Sequence, residues 1–185
     1  MVLGVAFVVG AIVLFALVYG LGRLVGVNDL PDDWRIGLGA AGLLTLAAVD
    51  IQATRKSTYC RLSWRRQTPK SLMHRHSPTV VAAVWGFDIG LAITTVRVAA
   101  ATWGAILLTG LGLSVWFTGL GYGLGFALPF VALLWTHRVG RTARSPLPVD
   151  PGLESMLAKR RRLQAVSAAL LTVGSTILVG LIVAS

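Results

Sequence analysis

The feature that most restricts the fold of this chain is a series of long apolar stretches that carry almost no charge. Three of them, 2–22, 35–53 and 164–184, are each about as long as a membrane-crossing helix. Hydrophobic residues make up 55% of the sequence and charged residues 13%, about half the charged share of a soluble domain. The sequence therefore predicts an all-α, polytopic membrane helix bundle, with residues 1–185 forming a single transmembrane domain.

The region 79–136 is harder to divide into spans. Asp88 and Arg97 are its only charged residues. Three apolar stretches are visible within it, at 79–99, 103–117 and 119–136, and the last two are rich in glycine. We expect each stretch to be helical, although some of them need not cross the membrane completely.

The basic residues predict the orientation in the membrane. The net charge is +10, and 14 of the 17 basic residues lie in two polar segments, 54–78 and 137–163. This clustering beside apolar spans is the positive-inside pattern, which places both segments in the cytoplasm of a cell-membrane protein. It also explains the charge without nucleic-acid binding. The basic residues expected to contact anionic lipid headgroups or a partner are Arg65, Arg66, Lys70, Arg160, Arg161 and Arg162.

The orientation limits the number of spans. If both basic segments are cytoplasmic, the region 79–136 crosses the membrane an even number of times. We then expect five full spans plus one broken or re-entrant segment. The alternative is six spans, which would place one basic segment outside.

Asp88 is the most informative polar residue of the sequence. In a helix that begins near residue 79 it would lie about 13 Å deep, where a charge costs about 2.5–3.5 kcal/mol. Such a residue faces a bundle interior or a cavity, and it is a candidate for carrying a proton or a cation. A purely structural polar contact is the other interpretation.

Four other residues are candidates for a functional polar site. Arg97 would point away from Asp88 on a straight helix, so the two could meet only if the helix breaks or across a dimer; Arg97 could also extend to the interface. The hydroxyls of Thr94 and Thr95 could ease a kink. Asp50 lies near the end of its span, where we expect it to pair with Arg55 or Lys56.

Catalytic patterns are absent from the sequence. It has no pair of deep carboxylates, no intramembrane histidine near an aspartate and no G-x-S-x-G motif. Cys60 is the only cysteine. The motif Gly37-Leu-Gly39-Ala-Ala-Gly42 lies within an apolar span, which favours close helix packing over nucleotide binding. We therefore predict no catalytic residue, no metal and no cofactor, and we lean against an enzyme.

Three short segments carry a family resemblance: Arg65-Arg66-Gln67-Thr68-Pro69, Trp85-Gly86-Phe87-Asp88-Ile89-Gly90-Leu91 and Thr94-Thr95-Val96-Arg97. Residues 61–136 resemble small actinobacterial membrane proteins, which are loosely similar to the CcdA/DsbD-type proteins of cytochrome c biogenesis and thiol transfer. That resemblance implies a compact bundle with kinked central helices around a polar point. It does not extend to thiol transfer, because the membrane-embedded cysteine pair is missing. The excess of arginine over lysine, together with many Ala, Gly and Val residues, indicates a bacterium of high GC content.

Three functions remain open from the sequence. The first is a transporter or permease-like protein, in which the midplane acid binds a small solute or ion. The second is a non-catalytic membrane subunit that anchors or assembles a larger complex. The third is an intramembrane enzyme acting on a lipid or isoprenoid substrate. The expected partners are anionic lipids and either a membrane protein or a second copy of the chain.

Overall fold

The described part of the chain is entirely helical apart from its turns. The computed structural model describes residues 1–56, 58, 62, 75–92, 99–136 and 159–184. Within these ranges there is no β-strand, and a single 3-10 turn occupies Val27–Asp29. The described residues form six α-helices: α1 (Val2–Leu24), α2 (Asp32–Arg55), α3 (Pro78–Gly90), α4 (Ala101–Gly110), α5 (Thr118–Thr136) and α6 (Arg160–Ala184).

The helices α1, α2 and α6 are long and apolar enough to cross a membrane. They cover the predicted spans 2–22, 35–53 and 164–184 and extend them by up to four residues. This confirms a membrane protein built as a helix bundle. The helix α5 covers the predicted stretch 119–136, and α4 covers the first part of 103–117.

Local sequence explains where two of the helices begin. Asp32 and Asp33 lie in the first turn of α2, where negative charge favours the helix dipole, and Asp32 pairs with Arg35 one turn later. The helix α3 begins with Pro78 in its first turn, and the Ser77 hydroxyl accepts a hydrogen bond from the Val80 amide.

The centre of one half of the bundle is α1, which packs closely on α3 and α5. A methyl group at Gly90 would collide with the Phe7 carbonyl oxygen, and one at Gly10 would lie 2.5 Å from the Phe87 carbonyl oxygen. Glycine therefore allows the backbones of α1 and α3 to touch. On the other side of α1, the Tyr122 ring of α5 lies 5.9 Å from the Phe7 ring and 5.7 Å from the Phe15 ring.

The helices α3 and α4 follow each other along α1 in the same direction. Gly86 and Gly90 of α3 contact the first third of α1, whereas Gly110 of α4 contacts Val18 and Gly22 near its end. With 13 and 10 residues, the two helices are only about 20 Å and 15 Å long. Each is therefore shorter than a hydrocarbon core of about 30 Å.

The apolar stretch 79–99, which we expected to be helical, is not helical throughout, because α3 ends at Gly90. Two residues later, the backbone of the buried Ala92 has a φ of 60°, which is the left-handed conformation that a helix cannot continue through. Residues 89–92 at this break are all apolar, so hydropathy alone does not locate it. Thr94, Thr95 and Arg97, which were predicted as candidate site residues, lie outside the described residues.

The other half of the bundle is an antiparallel pair, α2 and α6, with α4 packed against both. Near one end of the pair Gly39 lies against Leu178, and near the other end Thr54 lies beside Gln164. A small core of Leu43, Ala47, Ala100 and Leu171 joins these helices to the start of α4. Ala100, the residue just before α4, is thus held inside the protein, against two long helices.

Candidate functional site: a buried carboxylate at the start of a half-length helix

Asp50 is the most deeply buried charged residue of the described chain, with no exposed surface. It lies five residues before the end of α2, opposite the break between α3 and α4. Both of its carboxylate oxygens are 2.9 Å from the backbone nitrogen of Ala100, which donates to them. Ala100 is the N-cap residue of α4, so the carboxylate of one helix caps the start of another.

A second side chain completes this cap. The Ser167 hydroxyl of α6 accepts a hydrogen bond from the Ala101 amide at 3.0 Å, and it also lies within hydrogen-bonding reach of the Asp50 carboxylate. The first amides of a helix have no partner within that helix. Because alanine cannot cap them with its own side chain, α2 and α6 provide the acceptors for α4.

Gln164 extends the polar contacts toward the end of α2. Its side chain is fully buried, and its amide nitrogen donates to the carbonyl oxygen of Thr58 at 2.8 Å. The Thr54 hydroxyl donates to the Asp50 carbonyl oxygen at 2.8 Å and lies 3.5 Å from the Gln164 side-chain oxygen. A line of polar groups therefore runs from the start of α4 to the residues that follow α2.

Two opposing effects act on a negative charge at Asp50: burial disfavours it, and the hydrogen bonds from Ser167 and Ala100 favour it. The unpaired amides at the start of a helix carry a partial positive charge, which stabilises an adjacent anion. In membrane carriers, the ends of discontinuous helices near the middle of the membrane bind anionic groups in this manner. Here the anion belongs to the protein itself, so ionisation of Asp50 and attachment of α4 are coupled.

The expected pairing of Asp50 with Arg55 or Lys56 is wrong. The carboxylate is directed at Ala100, and both cationic side chains are exposed to the outside of the bundle. Local sequence spacing favoured the two nearby cations. The actual partner is 50 residues away, and no local pattern reveals it.

The other predicted residues are distributed over the bundle. Asp88 lies in the last turn of α3, is half-buried and is engaged in an interaction. Arg160, Arg161 and Arg162 form the first turn of α6. Arg65, Arg66 and Lys70 lie outside the described residues. The structure therefore places Asp50, and not Asp88, at the centre of the buried polar site.

Sequence reasoning missed Ser167 and Gln164. Both lie in an apolar stretch and are three residues apart, and Ser175 follows at a spacing that returns to the same face. The Ser175 hydroxyl donates to the Ala40 carbonyl oxygen at 2.9 Å. A polar stripe on one face of a membrane helix indicates a helix contact, and this signal could have identified the α2–α6 interface.

Comparison of the chain with protein-family models, with curated proteins and with solved structures gave no match.

Proposed function

We propose that the chain crosses the membrane five times and that α3 and α4 together form the third crossing. Their 13 and 10 residues would cover about 35 Å if stacked. Support comes from the glycine contacts, which place both helices along α1 in the same direction. Non-helical backbone is tolerated at this depth where protein surrounds it, and Ala92 and Ala100 beside the break are both buried.

Both basic segments adjoin the same end of the bundle, and we place this end on the cytoplasmic side. The contact between Thr54 and Gln164 brings the end of α2 and the start of α6 together. These helix ends lead into the segments that contain most of the basic residues, which supports a shared cytoplasmic side under the positive-inside rule.

Cys60 provides a direct test of this topology, since it is the only cysteine and lies in the first basic segment. A membrane-impermeant maleimide should label it in inverted vesicles but not in intact cells. In a Cys60→Ser background, Asp29→Cys in the opposite turn should show the reverse pattern. Labelling of Cys60 in intact cells would overturn the proposed orientation.

The proposed activity is that of a small permease-like carrier of a solute or ion, with Asp50 as its essential acid. The observation that carries it is the Asp50 carboxylate bound to the first amide of α4. Protonation, or binding of a cation, weakens a carboxylate as an acceptor and would loosen the start of α4. An internal carboxylate that alternates between these states provides the coupling that a carrier requires.

The test uses a substitution that preserves the hydrogen bond and removes the ionisable group. Asp50→Asn keeps an oxygen that can accept from Ala100, but it cannot exchange a proton. A strain without the protein is compared with strains that carry the wild type, Asp50→Asn or the exposed-site control Asp33→Asn, at equal membrane levels. Small solutes inside and outside the cells are then profiled by mass spectrometry.

We expect the distribution of at least one solute to change without the protein. The wild type and Asp33→Asn should restore it, and Asp50→Asn should not. Uptake of that solute into vesicles containing the purified protein should show the same order. Full restoration by Asp50→Asn would overturn the role of the acid, and an unchanged solute profile without the protein would overturn the carrier function.

A non-catalytic membrane subunit is the second candidate. It is favoured by the fact that the Asp50 carboxylate and the Gln164 side chain are both satisfied within the chain, as expected of a static scaffold. The native mass after mild extraction from the original membrane distinguishes the two candidates. A mass that no whole number of copies of this chain explains supports a subunit, whereas the mass of a monomer or dimer supports the carrier. An enzyme acting on lipids lacks a specific observation in its favour.

A further inference from the structure

An open groove runs along the outer face of the α2–α6 pair. Its volume is about 590 Å³. Most of the side chains that line it are small or apolar, and one is a cation. The lining residues are Ile51, Thr54, Arg55, Ala165, Ala168, Ala169, Thr172 and Val173.

One end of the groove is strongly basic. Arg55 lines it where α2 ends, and Arg162 lies one turn before Ala165 on the same face of α6. The hydrogen bond between Thr54 and Gln164 brings these two helix ends together. Both arginines are exposed, and none of the residues lining the groove is acidic. The groove therefore has a positively charged rim, formed by Arg55 and Arg162, and an apolar trough beside it.

We infer that this groove binds one molecule of an anionic phospholipid. The phosphate lies between Arg55 and Arg162, and one acyl chain follows α6 from Ala165 to Val173, over about 12 Å. An anionic headgroup complements the charge of the rim, and an acyl chain matches the small apolar walls. A zwitterionic lipid would match only the trough, because it has no net charge to set against the two arginines.

The inference rests on the proposed topology, because it requires this end of the bundle to lie at the headgroup level. It does not require transport. Each cation near a membrane surface contributes about a fivefold preference for anionic lipid. We therefore expect loss of both arginines to weaken retention by about 25-fold, while binding of phosphatidylcholine stays unchanged.

The experiment measures lipid retention by native mass spectrometry of the purified protein after titration with phosphatidylglycerol or phosphatidylcholine. The double variant Arg55→Gln/Arg162→Gln removes the rim. The control Arg23→Gln/Lys56→Gln removes the same charge from exposed positions that do not line the groove. Ala169→Leu fills the trough without changing any charge, and Ala41→Leu is its control on an exposed position of α2 well away from Arg55.

One retained phosphatidylglycerol, lost in the rim variant and in Ala169→Leu but kept in both controls, supports the site. Equal retention of phosphatidylcholine, or equal loss in the Arg23/Lys56 control, would show that the arginines attract lipid only through diffuse charge. Either result would overturn the specific site. Retention by Ala169→Leu, or displacement by soluble glycerol phosphate at the same concentration, would overturn the acyl-chain position. A co-purifying protein that excludes lipid from the groove would assign the surface to a partner instead. A failed topology shows separately in the Cys60 labelling.

Discussion

Replacement of Asp50 by alanine should release the start of α4 while the rest of the bundle stays folded. The substitution removes the oxygens that accept from the Ala100 amide and leaves this donor buried without that partner. A buried donor that loses its partner costs about 1–3 kcal/mol, and bonds to a charged group lie at the upper end. We therefore expect the opening of this turn to become easier by about 2–3 kcal/mol, or about 30- to 150-fold.

Hydrogen exchange followed by mass spectrometry measures this opening directly. Peptides that cover residues 99–108 should exchange about 30- to 150-fold faster in Asp50→Ala than in the wild type. Asp50→Asn should change exchange by less than about fivefold, because its side-chain oxygen still accepts the bond and only the charge–dipole contribution is lost. Peptides from α1 should be unaffected, and Asp33→Ala serves as the exposed control.

Two results would refute this reasoning. If Asp50→Ala leaves residues 99–108 as protected as in the wild type, the carboxylate does not hold α4. If Asp50→Asn and Asp50→Ala accelerate exchange equally, the hydrogen bond is not the stabilising element, and the charge alone determines the stability of this turn.

Three further substitutions test the packing. Gly90→Ala should lower the thermal midpoint in detergent, because its methyl group collides with the Phe7 carbonyl oxygen. Such overpacking costs about 1–3 kcal/mol. The control Gly20→Ala, whose methyl group meets no neighbouring atom, should not lower the midpoint. Ser175→Ala should cost about 0.6 kcal/mol in unfolding by a denaturing detergent, the typical value for such bonds in membranes, and a cost above about 2 kcal/mol would contradict the single bond seen here. Gln164→Leu should speed hydrogen exchange at the end of α2, and unchanged exchange there would show that its bond to Thr58 is dispensable.

Length and hydropathy predicted the long helices well, because membrane insertion depends on those two properties. The helices α1, α2 and α6 begin and end within a few residues of the apolar stretches. The break after Gly90 was not located, since a left-handed backbone at Ala92 requires no polar or proline residue. Tertiary packing determines its position.

The buried site was predicted only in part, for a related reason. Asp50 was recognised as a candidate, but it was expected to form an ion pair with Arg55 or Lys56, because these cations are close in sequence. Its actual partner is a backbone amide, and any residue except proline carries one. A side-chain pattern can reveal Ser167 and Gln164, but it cannot reveal that Ala100 lies beside them.

The cap on α4 also has a consequence for how the protein is made. Asp50 is synthesised before Ala100, because 50 residues separate them; at about 5–20 residues per second, this gap lasts about 3–10 s. Ser167 is synthesised later still. During this interval the α1–α2 hairpin carries a carboxylate without its final partners, and its stay in the bilayer depends on keeping that end near the aqueous surface. Slow or stalled translation between α2 and α4 would therefore prolong the time during which this carboxylate lacks its partners.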